Sequence, residues 1–120
     1  VINQILSENI EIKAMSHITG GGIPENLPRC IPPDFIPHIN TKSWDIPILF
    51  KFLKDKGTIP EKDYWNTFNL GVGFCLIIDK QFKESILNIS KDYGIDSWEI
   101  GKIVRKNNST INKFLPEILI

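Results

Sequence analysis

The chain has 120 residues, the length of one domain, and a chain of that size can bury roughly 65% of its extended surface without help from disulfides or metal. Lys+Arg and Asp+Glu number 14 each, so the net charge is zero, which excludes a sequence-blind nucleic-acid binder and a polybasic membrane binder, since both need a positive excess. Cys30 and Cys75 do not make a secreted disulfide framework. No apolar run approaches the ~20 residues of a spanning helix, and the start lacks the order of a signal peptide. A soluble, cytoplasmic protein is expected. Isoleucine and lysine dominate while arginine is limited to Arg29 and Arg105, a skew that AT-rich coding explains. A lysine here is therefore weak evidence, and an arginine or a glycine cluster is better evidence.

Ile2, Ile5 and Leu6 fall at helical spacing with no cap before them, so the expectation is an element whose start lies upstream. Ile10, Ile12 and Ala14 alternate with Glu11 and Lys13, the period of a half-buried strand running to about Ile18. Gly20-Gly21-Gly22 ends it. Pro24 fits the first turn of a helix with Ile23, Leu27, Cys30 and Ile31 on one face, and Pro28 with Pro32-Pro33 keeps that helix short. Residues 35–40 read as a strand. Ser43 or Asp45 is expected to cap the next helix, whose buried stripe would be Ile46, Leu49, Phe50 and Leu53, with Gly57 as its stop. A short polar helix at 60–65 precedes 67–79, where Val72, Phe74, Leu76, Ile77 and Ile78 read as a well-buried strand. Phe82, Ile86, Ile89 and Tyr93 recur at helical spacing up to Gly94, and 98–105 reads as the last strand. Residues 106–112 read as surface, and the apolar tail 114–120 is expected to dock. At most four strands and four helices then alternate in one compact α/β or α+β sandwich.

The segment Ala14-Met15-Ser16-His17-Ile18-Thr19-Gly20-Gly21-Gly22-Ile23-Pro24-Glu25-Asn26-Leu27-Pro28-Arg29 has the layout strand, triple glycine, helix start. Glycines permit positive φ and close approach of the backbone to a ligand. The following helix offers unpaired N–H groups to a phosphate. Helical spacing places Asn26 beside Arg29, away from Leu27 and Cys30, where the guanidinium could clamp that phosphate bidentately. The plain alternative is a tight turn with Arg29 paired to Glu25. No Walker loop is present. His17 is either a core histidine with both nitrogens bonded or an acid–base group beside a bound phosphoester. His38 lacks acidic or sulfur neighbours in sequence, and no metal site is implied.

His17-Ile18-Thr19-Gly20-Gly21-Gly22, followed by Asn26 and Pro28-Arg29, resembles the signature of the phosphoribosylformylglycinamidine cyclo-ligase (aminoimidazole ribonucleotide synthetase) family. Tyr64-Trp65-Asn66-Thr67-Phe68-Asn69-Leu70-Gly71-Val72-Gly73-Phe74 resembles a second segment of it. Ser43-Trp44 with Pro47, and Trp98-Glu99-Ile100-Gly101, fall in matching order. The resemblance covers about residues 11–105 and is confined to that enzyme's C-terminal domain. It implies a three-layer α/β/α sandwich, partly ferredoxin-like, over residues 1–120, from an enzyme whose N-terminal ATP-binding domain is a separate part.

The resemblance further implies an ATP-dependent ligase of purine biosynthesis that closes an imidazole ring. ATP activates the amide oxygen of formylglycinamidine ribonucleotide, an internal nitrogen attacks the carbon, and phosphate leaves. The substrate phosphate is expected on Thr19, Gly20, Gly21, Gly22, Asn26 and Arg29. His17 is expected to polarise or protonate the amidine, and Asn69 and Gly71 to border the cleft or else simply form a turn into a core strand. ATP and Mg2+ would be bound mainly by the N-terminal domain. The implied partners are that domain and, for the full-length enzyme, a second copy, with no nucleic acid or membrane. A non-catalytic subunit or phosphate-binding remnant is the rival reading, and the chain alone is expected to be inactive.

Overall fold

The computed structural model describes residues 1–106; the sequence expectations for 107–112 and for the tail 114–120 lie outside the described residues. The chain runs through α1 (Ile2–Ser7), β1 (Ile12–His17), α2 (Gly22–Asn26), a 3₁₀ turn (Leu27–Cys30), β2 (Phe35–Ile39) and α3 (Ile48–Gly57). It continues through α4 (Glu61–Thr67), β3 (Phe74–Ile78), a second 3₁₀ turn (Lys80–Phe82), α5 (Lys83–Asp92) and β4 (Gly101–Arg105). β1 pairs antiparallel with β3, from Ile12 opposite Ile78 to His17 opposite Phe74, with an irregularity between Ile12 and Ala14. β2 pairs antiparallel with β4, from Phe35 opposite Arg105 to Ile39 opposite Gly101. The fold is α+β with antiparallel sheets.

Layering follows from the two-residue period of β3. Cys75 and Ile77 pack with Ile18, Ile23, Leu27, Tyr64 and Trp65, under α2 and α4. Leu76 and Ile78 pack with Ile5, Ile10, Ile86 and Ile89, under α1 and α5. The β1–β3 pair thus has helices on both faces. The β2–β4 pair reaches the larger cluster through Ile39, and Ile100 adds to it.

Local chemistry explains most element ends. Pro28 has no N–H for an α-helical bond, so α2 stops at Asn26 and tightens into the 3₁₀ turn. Gly94, at φ +67°, ends α5. Its N–H donates to Lys91 O and that of Ile95 to Ser90 O, the paired bonds of a Schellman motif. Five described α-helices form where at most four were expected. Thr67 closes α4 instead of opening a strand, β4 begins at Gly101 rather than Trp98, and Tyr93 is exposed.

α3 departs furthest from expectation. Neither Ser43 nor Asp45 caps it: Ser43 Oγ donates to Asn40 O, and Pro47 occupies the cap position. The left-handed residue at its end is Thr58, not Gly57. Phe50 and Leu53 are only half-buried, and Leu49 is exposed. Phe50 meets Phe68 at 5.6 Å between ring centroids. Lys54, at the far end of α3, pairs with Glu61, whose other oxygen accepts from Trp65 Nε1 at 2.9 Å. The hydrogen bond from Lys54, with that of Trp65 adding, holds the Glu61 carboxyl below its ordinary range against partial burial.

Gly22 is where loop and core meet. Its φ is +58°, and an added Cβ would lie 2.1 Å from Trp65 O and 2.8 Å from Phe68 O. Gly20 has nothing within 4 Å of the same position and is not in the left-handed region. Gly22→Ala is expected to destabilise the domain by about 2–4 kcal/mol, from left-handed strain plus overpacking on backbone. Gly20→Ala should stay within about 1 kcal/mol of the parent. Urea unfolding of both variants checks the contrast, and equal midpoints would show that Gly22 is not clamped.

Candidate functional site

β1 ends at His17, and the chain then turns through Thr19–Gly22. Ile18 N donates to Gly73 O at 2.9 Å, which places the approach to β3 beside this turn. Gly22 N closes the turn on Thr19 O at 3.0 Å, and Glu25 N reaches Gly21 O at 3.2 Å. Asn26 holds it from inside. Its Nδ2 donates to Gly22 O at 2.8 Å and Gly20 O at 3.1 Å, with a longer contact to Thr19 O, while Oδ1 accepts from Thr19 Oγ1 at 3.5 Å.

That placement changes the expected role of Asn26. The side chain is 5% exposed and turned into the loop, whereas Arg29 is exposed on the 3₁₀ turn. The two do not act on one surface: Asn26 is spent on the loop's carbonyls, and Arg29 stands in solvent. α2 is also only five residues long, so its dipole adds little for an anion. Arg29 makes no ion pair with Glu25 or any other described residue, which removes the plain alternative as well. Glu25 instead lies against Gly21: its Oε2 is 2.5 Å from where a Gly21 Cβ would stand. A carboxylate there opposes an anion over Gly21 and leaves the exposed Thr19–Gly20 backbone as the open approach.

The second turn is built differently. Asn69 Oδ1 accepts from Gly71 N–H at 3.1 Å, an Asx turn, and Val72 N donates to Asn69 O. Gly71 sits at φ +95°, where a Cβ would meet Pro47 Cδ at 2.7 Å. Leu70 between them is left-handed at φ +53° and 1% exposed. Its carbonyl accepts from the buried Trp44 Nε1 at 2.9 Å. Asn69 and Gly71 are thus both turn-formers and neighbours of the first loop through Gly73 and Ile18.

His17 is exposed, so the core-histidine alternative fails. Its ring centroid lies 6.2 Å from that of Phe74, its cross-strand partner. Phe74 and Met15 are 49% and 47% exposed, which leaves an apolar rim beside the imidazole. Neither was singled out from sequence, where both read as ordinary strand residues; only the position of Phe74 at the strand's first residue hints otherwise. His38 is exposed on β2 opposite Lys102. Among the described residues no group of three or more His, Cys, Asp or Glu is placed to hold a metal ion. Burial, with Cys30 adding, pushes the Cys75 thiol up to about 11, so it stays protonated and is a core side chain rather than a nucleophile. No helix among the described residues is long and apolar enough to cross a membrane.

These features define an α+β domain with two glycine turns gathered at one end of its first sheet and an exposed histidine beside them. The chain belongs to the AIR synthase related protein, C-terminal domain family, whose model matches residues 2–113. It is 89% identical over 119 residues to a protein of Prochlorococcus marinus (strain MIT 9312) named phosphoribosylformylglycinamidine cyclo-ligase, covering 99% of this chain and 34% of that relative. A protein of the same name from P. marinus subsp. pastoris is 70% identical over 120 residues, covering 100% of this chain and 35% of the relative. Another, from strain MIT 9211, is 50% identical over 103 residues, covering 86% and 30%. The chain spans about a third of the length of the curated relatives it matches.

Because Asn26 donates to several carbonyls at once, Asn26→Asp should cost about 2–3 kcal/mol at neutral pH, where a carboxylate would face those oxygens. A carboxyl in that position favours its protonated form in the fold, so its folded pKa rises above the ordinary ~3.9. The penalty should grow as pH rises through that range and shrink below it. Unfolding midpoints at pH 3.5 and pH 7 check this. A variant equally stable relative to the parent at both would show that the amide does not hold the loop.

Proposed function

We propose that this chain is the substrate-binding C-terminal domain of an ATP-dependent cyclo-ligase, one that converts formylglycinamidine ribonucleotide to aminoimidazole ribonucleotide, ADP and phosphate in cytoplasmic purine biosynthesis. The observation that carries this reading is near-identity over 99% of the chain to part of a protein of that name. The same likeness disfavours a non-catalytic remnant.

Within that reading the open Thr19–Gly20 backbone receives the substrate's 5′-phosphate. Gly21 and Gly22 shape the turn, and Asn26 holds it from behind. Arg29, exposed and without an ion pair among the described residues, supplies the countercharge. His17 stands at the strand end beside the loop, placed to polarise or protonate the amidine while the phosphate anchors the other end of the substrate. Asn69 and Gly71 border the same cleft from the second turn. Anchoring the ribonucleotide lets one internal nitrogen meet one carbon repeatedly, which is the gain that positioning supplies.

ATP provides the phosphoryl group that turns the amide oxygen into a leaving group. Among the described residues no group of three or more His, Cys, Asp or Glu could hold the magnesium ion. The nucleotide and Mg2+ belong with the N-terminal domain, and the full-length enzyme is a homodimer in this reading.

Arg29→Lys keeps the charge but loses the planar fork, so in the complete enzyme the substrate KM should rise clearly while kcat changes little. Glu25→Gln should act oppositely and tighten phosphate binding by about 1 kcal/mol, the size of one screened charge at this range. Steady-state kinetics of both variants checks the loop assignment; parent-like KM values in both would remove it. The 120-residue chain alone should release no ADP with substrate present, and adding the N-terminal domain should restore turnover. Substrate-dependent turnover by the chain alone would place the nucleotide site here instead.

A further inference from the structure

α3 is apolar on two sides. Phe50 packs against the larger core cluster, Leu53 is half-buried on the same side, and Lys54 beside them reaches Glu61. On the opposite side of the helix, at 100° per residue, lie Ile48 and Phe52 with Leu49 at their flank. These three are 84%, 54% and 60% exposed. Three large apolar side chains contiguous on one turn and a half are more than the scattered single exposures that a surface tolerates.

We infer that the outward face of α3 docks against the part of the enzyme that this chain does not span, and that this contact closes the edge of the cleft at the Asn69–Gly71 turn. The inference rests on the reading of the chain as part of the cyclo-ligase. Three observations choose this occupant. A relative 89% identical to the chain is about three times its length, so in that reading a large protein surface is available in cis. The patch is small: three side chains fall short of the ~1,200 Å² that a free-standing complex usually buries. Covalent attachment removes that requirement, because a tethered surface is present at an effective concentration in the millimolar range. The rim carries Lys51, Asp55 and Lys56, both signs of charge together, which suits a protein surface better than an anionic membrane. The link to the cleft is Pro47, which caps α3 and stands where a Gly71 Cβ would be. Whatever covers Ile48 therefore sits within one turn of the second glycine turn.

The test is thiol accessibility. Phe52→Cys and, separately, Ile48→Cys are placed in the complete enzyme and in the 120-residue chain, and each is labelled with a small maleimide. Tyr93→Cys, at 55% exposure in the parent, is the comparison position. Labelling at 52 and 48 should slow by at least about tenfold in the complete enzyme relative to the chain alone, and at 93 it should change much less. Equal rates in the two proteins at 52 and 48 would overturn the inference, as would an equal slowing at 93. Protection that grows with the concentration of the 120-residue chain would also overturn it, by assigning the face to a second copy. Using two positions guards against one variant failing to fold. Cyclo-ligase activity of the parent enzyme, assayed alongside, separates the two ideas. Protection without turnover sinks the functional reading and leaves the contact standing, and turnover without protection does the reverse.

Discussion

The domain's site depends on a missing atom. At Gly22 the first loop runs so close to the end of α4 that the carbonyls of Trp65 and Phe68 occupy the place of any Cβ. That contact joins the loop to the largest cluster of side chains in the molecule. Trp65 stacks edge-on to both Trp44 and Tyr64, and Tyr64 edge-on to Phe68. Such aromatic contacts are geometrically demanding, so they fix where α4 ends and hence where the loop may pass. Asn26 then completes the turn from its inner side. The loop is rigid where it touches the core and open only at Thr19–Gly20, an arrangement suited to presenting backbone groups without reorganising them.

The electrostatics of that opening are a balance. Glu25 lies against Gly21 and forms no ion pair with the exposed Arg29, so the field at the opening depends on which of the two charges stands nearer to it. With a five-residue helix behind it, the loop cannot rely on a dipole. In the proposed reading, side-chain charge and exposed N–H groups supply the attraction, and Arg29 and Glu25 are the residues proposed to set its strength.

Much of this was legible in the sequence for reasons that can be named. β1, β2, the close of α5 at Gly94 and the glycine loop all follow from local chemistry: alternation, φ restriction and capping. The resemblance on His17–Gly22 and on Tyr64–Phe74 found both turns before any geometry was known. The inference from helical spacing failed at Asn26 and Arg29, because it assumed one continuous helix across Pro28. Asn26 closes α2 and turns its amide onto the loop carbonyls, whereas Arg29 belongs to the 3₁₀ turn and stays exposed, so the two meet different surroundings whatever their spacing. α3 failed for another reason. Both of its sides are apolar, and periodicity states that a stripe exists without saying which stripe faces inward. Phe74 was misread because a strand's first residue can be apolar and still stand clear of the core.

The buried indoles have a spectroscopic consequence. Trp65 carries the carbonyl that clamps Gly22, and Trp44 donates its N–H to Leu70 O within the second turn. Each of the two turns is therefore wired to its own fluorophore, and the rings lie 6.1 Å apart. The third tryptophan, Trp98, is 41% exposed. Replacing Trp98 by Phe would leave an emission dominated by a pair of chromophores in contact with the site. The native chain thus contains a reporter on its own loops, readable without a dye and at protein concentrations far below those that crystallisation or resonance methods require.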